Sequence, residues 1–268
     1  MSDLWVKLEA AWRASSTAEK CQAVDDLIPV YLDLSLGHKI RANEQAVVPA
    51  CAYVGRPEQP ICVSPESLPF RKAVDKAGRA ALLHAIAHIE FNAINLALDA
   101  AWRFKDLGAL FIRDWMGVAI EESYHFRLIA DRLQTLGVAY GGLPAHAGLW
   151  NLAEETAGDV LARMALVPRL MEARGLDAMP PIFRAFQGIG DKPTLRALSV
   201  IARDEVRHVA LGDFWFKKLC EAKDLQASET YQSLIATYEA PWPRPPLNEA
   251  ARLAAGFDCA ELDLLNAH

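Results

Sequence analysis

The feature that most constrains this chain is a duplicated pattern of carboxylates and imidazoles. Glu122 and His125 sit in the run IEESYHFRL, and Glu205 and His208 sit in ARDEVRHVA. Both read Glu-x-x-His inside a stretch of helical periodicity, and residues three apart share a helix face. Each motif has a glutamate upstream at matched distance: Glu90 lies 32 residues before Glu122, and Glu172 lies 33 before Glu205. A four-helix bundle uses this inventory, four carboxylates and two imidazoles, to hold two metal ions in its core. Without cations, four buried carboxylates repel one another and carry a heavy desolvation cost. A lone Glu-x-x-His is common on surface helices, so the weight rests on the duplication. The alternative is a helical scaffold in which the same residues form a satisfied polar network.

Periodicity places these residues on four long core helices, at about 72–104, 109–136, 152–174 and 193–221. On the first, Leu83, Ile86, Ala87, Ile94 and Ala97 form an apolar face interrupted by Glu90. The second carries Trp115, Val118 and Ile129 beside its motif, and Gly137 is its expected terminator. In the third, Pro168 predicts a kink and Gly175 a stop. Glu172 then falls close to the helix end. Glu154 or Glu155 could replace it, but both sit in the first turn, and the matched spacing favours Glu172. Pro180 and Pro181 predict a break before the fourth helix.

Outside this block, a short amphipathic helix is expected at 3–14 and a segment at 18–35 broken near Pro29. Prolines and a glycine punctuate residues 40–70. That stretch reads as an arm laid over the core, with Val47, Val48, Cys51, Tyr53, Val54, Ile61 and Val63 as anchors. A helix at about 222–238 ends at the Pro241-to-Pro246 run. Residues 248–267 hold a terminal helix capped by Asn248 and stopped by Gly256. The expected division is 1–71 as N-terminal helices and arm, 72–221 as the bundle, and 222–268 as a C-terminal helical extension.

Other polar residues near the motifs have ordinary readings. His84 and His88 read as packing or hydrogen-bonding groups. Glu121 should point away from Glu122. Tyr124 could lie near the metal or support packing. Asp204 could accept a hydrogen bond from the outer nitrogen of a ligand histidine. Residues 137–150, rich in glycine and including His146, read as a cover that can line an entrance.

With 52% hydrophobic residues in 268, the chain can bury a sizeable core. A formal charge of -6 argues against a broad nucleic-acid face. The five cysteines are scattered without a CxxC pair and read as free thiols in a reducing compartment. The start, MSDLWVKLEAAW, shows no secretory pattern, and no uninterrupted apolar run reaches 18 residues. The expectation is a cytoplasmic protein with no membrane partner. A homodimer is compatible with helical bundles pairing, but no contact face is legible.

The stretch ALLHAIAHIEFNAINLALDA, the runs EESYHFRLIADRL, PRLMEARGLD and DEVRHV, and the late EAARLAAGF together resemble the uncharacterised DUF455 family within the broader ferritin-like di-iron carboxylate group. The resemblance covers most of the chain. It implies an all-α, ferritin-like four-helix bundle with additional N-terminal and C-terminal helical segments. It also implies Glu90, Glu122, His125, Glu172, Glu205 and His208 as metal ligands. The wording around Asp204 is similar to that of ribonucleotide reductase small subunits, and more remotely to a tRNA-modifying hydroxylase of the group.

Carboxylate and imidazole ligands suit two iron ions, with manganese or a mixed iron–manganese pair as alternatives. The leading expectation is a dinuclear metal oxidoreductase that uses O₂, and an electron donor, to oxidise or hydroxylate an unidentified small organic substrate. The alternatives are iron oxidation or storage, or peroxide handling. No phosphate-binding glycine motif is present.

Overall fold

The computed structural model describes residues 3–37, 54–68, 73 and 75–267. The described residues are all-helical. Among them there is no strand, only an isolated parallel bridge between Cys62 and Ala145. Two compact units divide the chain, Met1–Ala147 and Gly148–His268.

The first unit is built on a long antiparallel pair. Helix α1 spans Asp3–Arg13, α2 Thr17–Asp25, α3 Ile28–Ser35, α4 Lys76–Arg103 and α5 Ala109–Thr135. Asp75 caps α4 by accepting from the Gly78 amide, and Gly108 reverses the chain into α5 at a φ of +94°. Helix α4 is apolar enough and long enough to cross a membrane by composition alone. Its most apolar window is 72% buried inside the fold, as in a core helix.

Helix α1 lies against α4. Trp12 stacks on Trp102, and its indole N–H donates to Asp99, whose two carboxylate oxygens also accept from Arg103. The C-terminal carbonyls of α1 are satisfied from a distance. Lys20 Nζ donates to Ala11 and Trp12 at 2.7 and 3.0 Å, and the Gly55 amide donates to Trp12. The expected break near Pro29 falls at Asp26–Leu27, with Pro29 in the first turn of α3. Of the expected arm anchors, Val47, Val48, Cys51 and Tyr53 lie outside the described residues. Val54 is buried and Val63 half-buried, whereas the Ile61 side chain is exposed, and this stretch is held instead by backbone bonds of Ile61 and Val63 to Ala145.

In the second unit the expected single helix at 152–174 is four segments. These are α6 (Gly148–Glu155), α7 (Val160–Leu166), a π-helical stretch (Val167–Glu172) and α8 (Ala173–Gly188). Asp159 imposes the first break by accepting from the Leu161 and Ala162 amides. Pro168, the second residue of the π stretch, has no amide to continue the α ladder.

The expected break at Pro180 and Pro181, and the expected stop at Gly175, are both overturned: α8 runs through all three. Pro180 cannot donate to the Leu176 carbonyl, but the Asn248 side-chain amide donates to that carbonyl at 3.1 Å. Asn248 thereby supplies a hydrogen bond that the proline removes, which lets the helix continue. Beyond it stand α9 (Lys192–Ala222), α10 (Ala227–Thr237), α11 (Glu249–Ala254) and α12 (Cys259–Ala267). Asn248 caps α11, and Gly256 ends it at a φ of +101°.

The unit is pinned by a buried arginine. Arg169 donates to Asp213 and Glu261 and lies over the rings of Tyr231, Phe257 and Phe216 at 4.1, 4.4 and 5.2 Å. This ties the π stretch to α9, α10 and α12.

Candidate metal centre

Helices α4 and α5 bring Glu90, Glu122 and His125 together in the first unit. All three are at most 4% exposed. The short turn at Phe104–Gly108 sets the register that levels Glu90 with Glu122 across the pair. His125 Nδ1 lies 3.2 Å from Glu122 Oε2 and 3.4 Å from Glu90 Oε2. One ligand atom from each residue lies within 4.8 Å of the others, a spacing that a metal ion can bridge.

The electrostatics show what the cluster demands. Burial works against a charged His125, but hydrogen bonds and charge from Glu122 and Glu90 override it and push its pKa up to about 11. Two desolvated carboxylates favour positive charge on the imidazole between them. A divalent ion at the same atoms would take that proton's place, and metal binding to such a site releases it. Oxygen and imidazole donors without thiolate fit iron or manganese.

The second unit repeats the local geometry. His208 is fully buried on α9, and its Nδ1 lies 3.6 Å from Glu205 Oε1, one turn earlier on the same face. Glu172 closes the π stretch, half-buried, with its Oε2 shielded from solvent. The expected alternatives, Glu154 and Glu155, are exposed, and Glu154 accepts from the Trp150 indole.

The register between the π stretch and α9 is fixed by a close contact. A Cβ on Gly212 would lie 2.5 Å from Pro168 Cβ. The two elements run antiparallel through the turn after Gly188. Glu172 lies one turn beyond Pro168, and His208 lies one turn before Gly212. The contact therefore sets Glu172 level with His208. The Arg169–Asp213 pair bridges the same two elements beside that contact.

The neighbours sort plainly. Tyr124 is 51% exposed, so it neither supports the core nor faces the buried cluster. Both carboxylate oxygens of Asp204 accept from Arg203. His84 accepts from the Gly141 amide, and His88 bonds the Tyr140 hydroxyl and the His146 carbonyl, as the packing reading expected.

Sequence reasoning missed Tyr140. Its ring packs on Phe91 and Phe126, the residues next to Glu90 and His125 in sequence, and so ties the 137–150 segment to α4 and α5. The signal available was an aromatic between two glycine turns, too weak to read alone.

Comparison with known proteins adds the family. The family model described as "Protein of unknown function (DUF455)" matches residues 13–263. The chain belongs to the DUF455 family. A relative from Haemophilus influenzae (strain ATCC 51907 / DSM 11121 / KW20 / Rd), described as an uncharacterized protein, is 42% identical over 270 residues. The alignment covers 98% of this chain and 93% of the relative. No solved structure matches the DUF455 chain.

Proposed function

We propose that this DUF455 protein is a ferritin-like dinuclear metal oxidoreductase. In this reading Glu90, Glu122 and His125 form one half of the centre, and Glu172, Glu205 and His208 form the other. The observation that carries it is the buried Glu90–Glu122–His125 cluster, whose charge imbalance calls for a cation. The repeat of the same Glu-x-x-His geometry in the second unit supports a two-ion centre over a single site. Two iron ions held there would supply the electrons that activate O₂ for oxidation or hydroxylation of a small organic substrate.

The chain's own residues prepare the site. Glu90 and Glu122 supply the negative charge and, being buried, cannot relieve it in water. His125 and His208 present Nδ1 towards their motif carboxylates, so imidazole and carboxylate donors converge.

Metal analysis of protein purified without oxygen tests the reading, with Glu90→Ala and Glu205→Ala beside the wild type. About two iron or manganese ions per chain, lost in both variants, are expected. Wild-type protein that stays metal-free after reconstitution, with both variants folded and unchanged, would refute it.

A further inference from the structure

A pocket of about 180 Å³ lies in the second unit, between α8, α9 and α11. Leu176, Met179, Pro180 and Phe183 form one wall, and Ala202 and Ala251 form the others. Among the described residues that line it, Glu205 on α9 is the one ionisable group. The side chain of Asn248, also at the rim, is occupied: it donates to the Leu176 carbonyl and accepts from the Ala251 amide.

The sequence builds this space deliberately. Gly175 contributes no side chain, and the Pro180 ring cannot pack as a regular helical residue against the preceding turn. The Asn248 bond keeps α8 continuous across the proline without filling the gap. Alanines at 202 and 251 leave the opposite walls shallow. The remaining lining side chains are apolar and include an adaptable methionine and a rigid phenyl ring.

We infer that this pocket is the substrate-binding site of the proposed centre, and that it takes a neutral, apolar organic molecule about the size of toluene. The inference rests on the metal reading, because only Glu205 joins the pocket to chemistry. The size follows from volume: an apolar cavity of about 150 Å³ holds benzene. The class follows from the walls. The α8 wall gives apolar contact, and among the described lining residues there is no cationic group to receive a carboxylate or phosphate, while the charged one, Glu205, repels anions. A substrate seated here lies against a carboxylate that would also bind metal, which is where an oxidation step requires it.

The test uses the full chain, loaded with iron without oxygen, and also metal-free. Met179 carrying a ¹³C methyl group is followed by NMR, with its signal assigned through Met179→Leu. Toluene should shift the Met179 signal saturably in both forms, and benzoate should not. Ala251→Leu, which fills the pocket from a helix that bears no metal ligand, should weaken toluene binding at least about tenfold while iron content stays unchanged. Phe183→Ala should do the opposite and raise the affinity for naphthalene relative to toluene by about tenfold. This guards against reading a folding defect as lost binding.

Iron bound normally with no saturable shift at Met179 would overturn the pocket and leave the metal reading standing. Equal binding of toluene by wild type and Ala251→Leu would also overturn it, as would benzoate binding as tightly as toluene. Saturable toluene binding in a chain that takes up no iron would overturn both, since a cavity without the centre is no substrate site.

Discussion

Replacing Gly212 with alanine separates two physical effects of opposite sign. In an ordinary helix interior, alanine is better than glycine by about 1 kcal/mol. At this position the added Cβ would lie 2.5 Å from Pro168 Cβ and 2.7 Å from its Cγ. A proline ring cannot rotate out of the way, and its backbone is held by the buried Arg169–Asp213 pair. Overpacking of this kind costs about 1–3 kcal/mol. Contacts this short against a rigid ring fall at the upper end, so the net effect should be a loss of about 1–2 kcal/mol. For a chain of this size that lowers Tm by about 2–8 °C. Thermal unfolding should be followed by circular dichroism on metal-free protein, so that ligand linkage does not enter. Metal-loaded Gly212→Ala should also bind its ions more weakly, because separating α9 from the π stretch shifts Glu172 out of level with His208. A Tm that rises by a few degrees would refute the reasoning: Gly212 would then be an ordinary helix glycine, and the register argument for Glu172 would fall with it.

Arg169→Met removes the cation shared by buried Asp213 and Glu261, of which Asp213 keeps Lys217 at 2.9 Å, and should cost about 3–5 kcal/mol in denaturant unfolding, chiefly through Glu261. Adding Asp213→Asn and Glu261→Gln should recover most of it, and a single variant as stable as wild type would contradict the account. Asp99→Ala leaves the Trp12 indole without its acceptor and should destabilise by about 1–3 kcal/mol. Amide exchange should rise first in α1, and unchanged protection there would show that this helix is held by packing alone. Burial lowers the Lys20 pKa from its ordinary 10.5 to about 7, against a smaller opposing effect of Cys21. Between those values the unfolded chain binds the extra proton. Stability should therefore rise with pH across that window, by up to ~1.4 kcal/mol per pH unit. Lys20→Met should remove that contribution, and identical pH slopes for the two proteins would refute it.

Much of the helical framework can be read from local sequence. The apolar stripes around Glu90, Glu122 and Glu205 are long and regular, so α4, α5 and α9 fall within a few residues of their expected bounds. Those helices also carry the i, i+3 pairs, and so Glu122 with His125 and Glu205 with His208 were legible from spacing alone. The third core helix was not, because its character depends on partners far away in sequence. Pro180 and Pro181 are helix breakers by local chemistry, and the helix survives through the hydrogen bond from Asn248, 68 residues downstream. Pro168 signals an irregularity, but its packing against Gly212 turns that irregularity into a π stretch bearing Glu172. Tyr140 escaped for a similar reason: only the fold brings it onto Phe91 and Phe126.

In the proposed function the two Glu-x-x-His motifs serve one coupled pair of ions. Mössbauer and EPR spectra of the iron-loaded protein after exposure to oxygen test it most directly. The account expects about two ferric ions per chain, exchange-coupled and therefore silent in EPR at low temperature, with both ions lost in either Glu122→Ala or His208→Ala. Two uncoupled high-spin ferric signals, each removed by only one of those variants, would contradict it and leave two separate mononuclear sites.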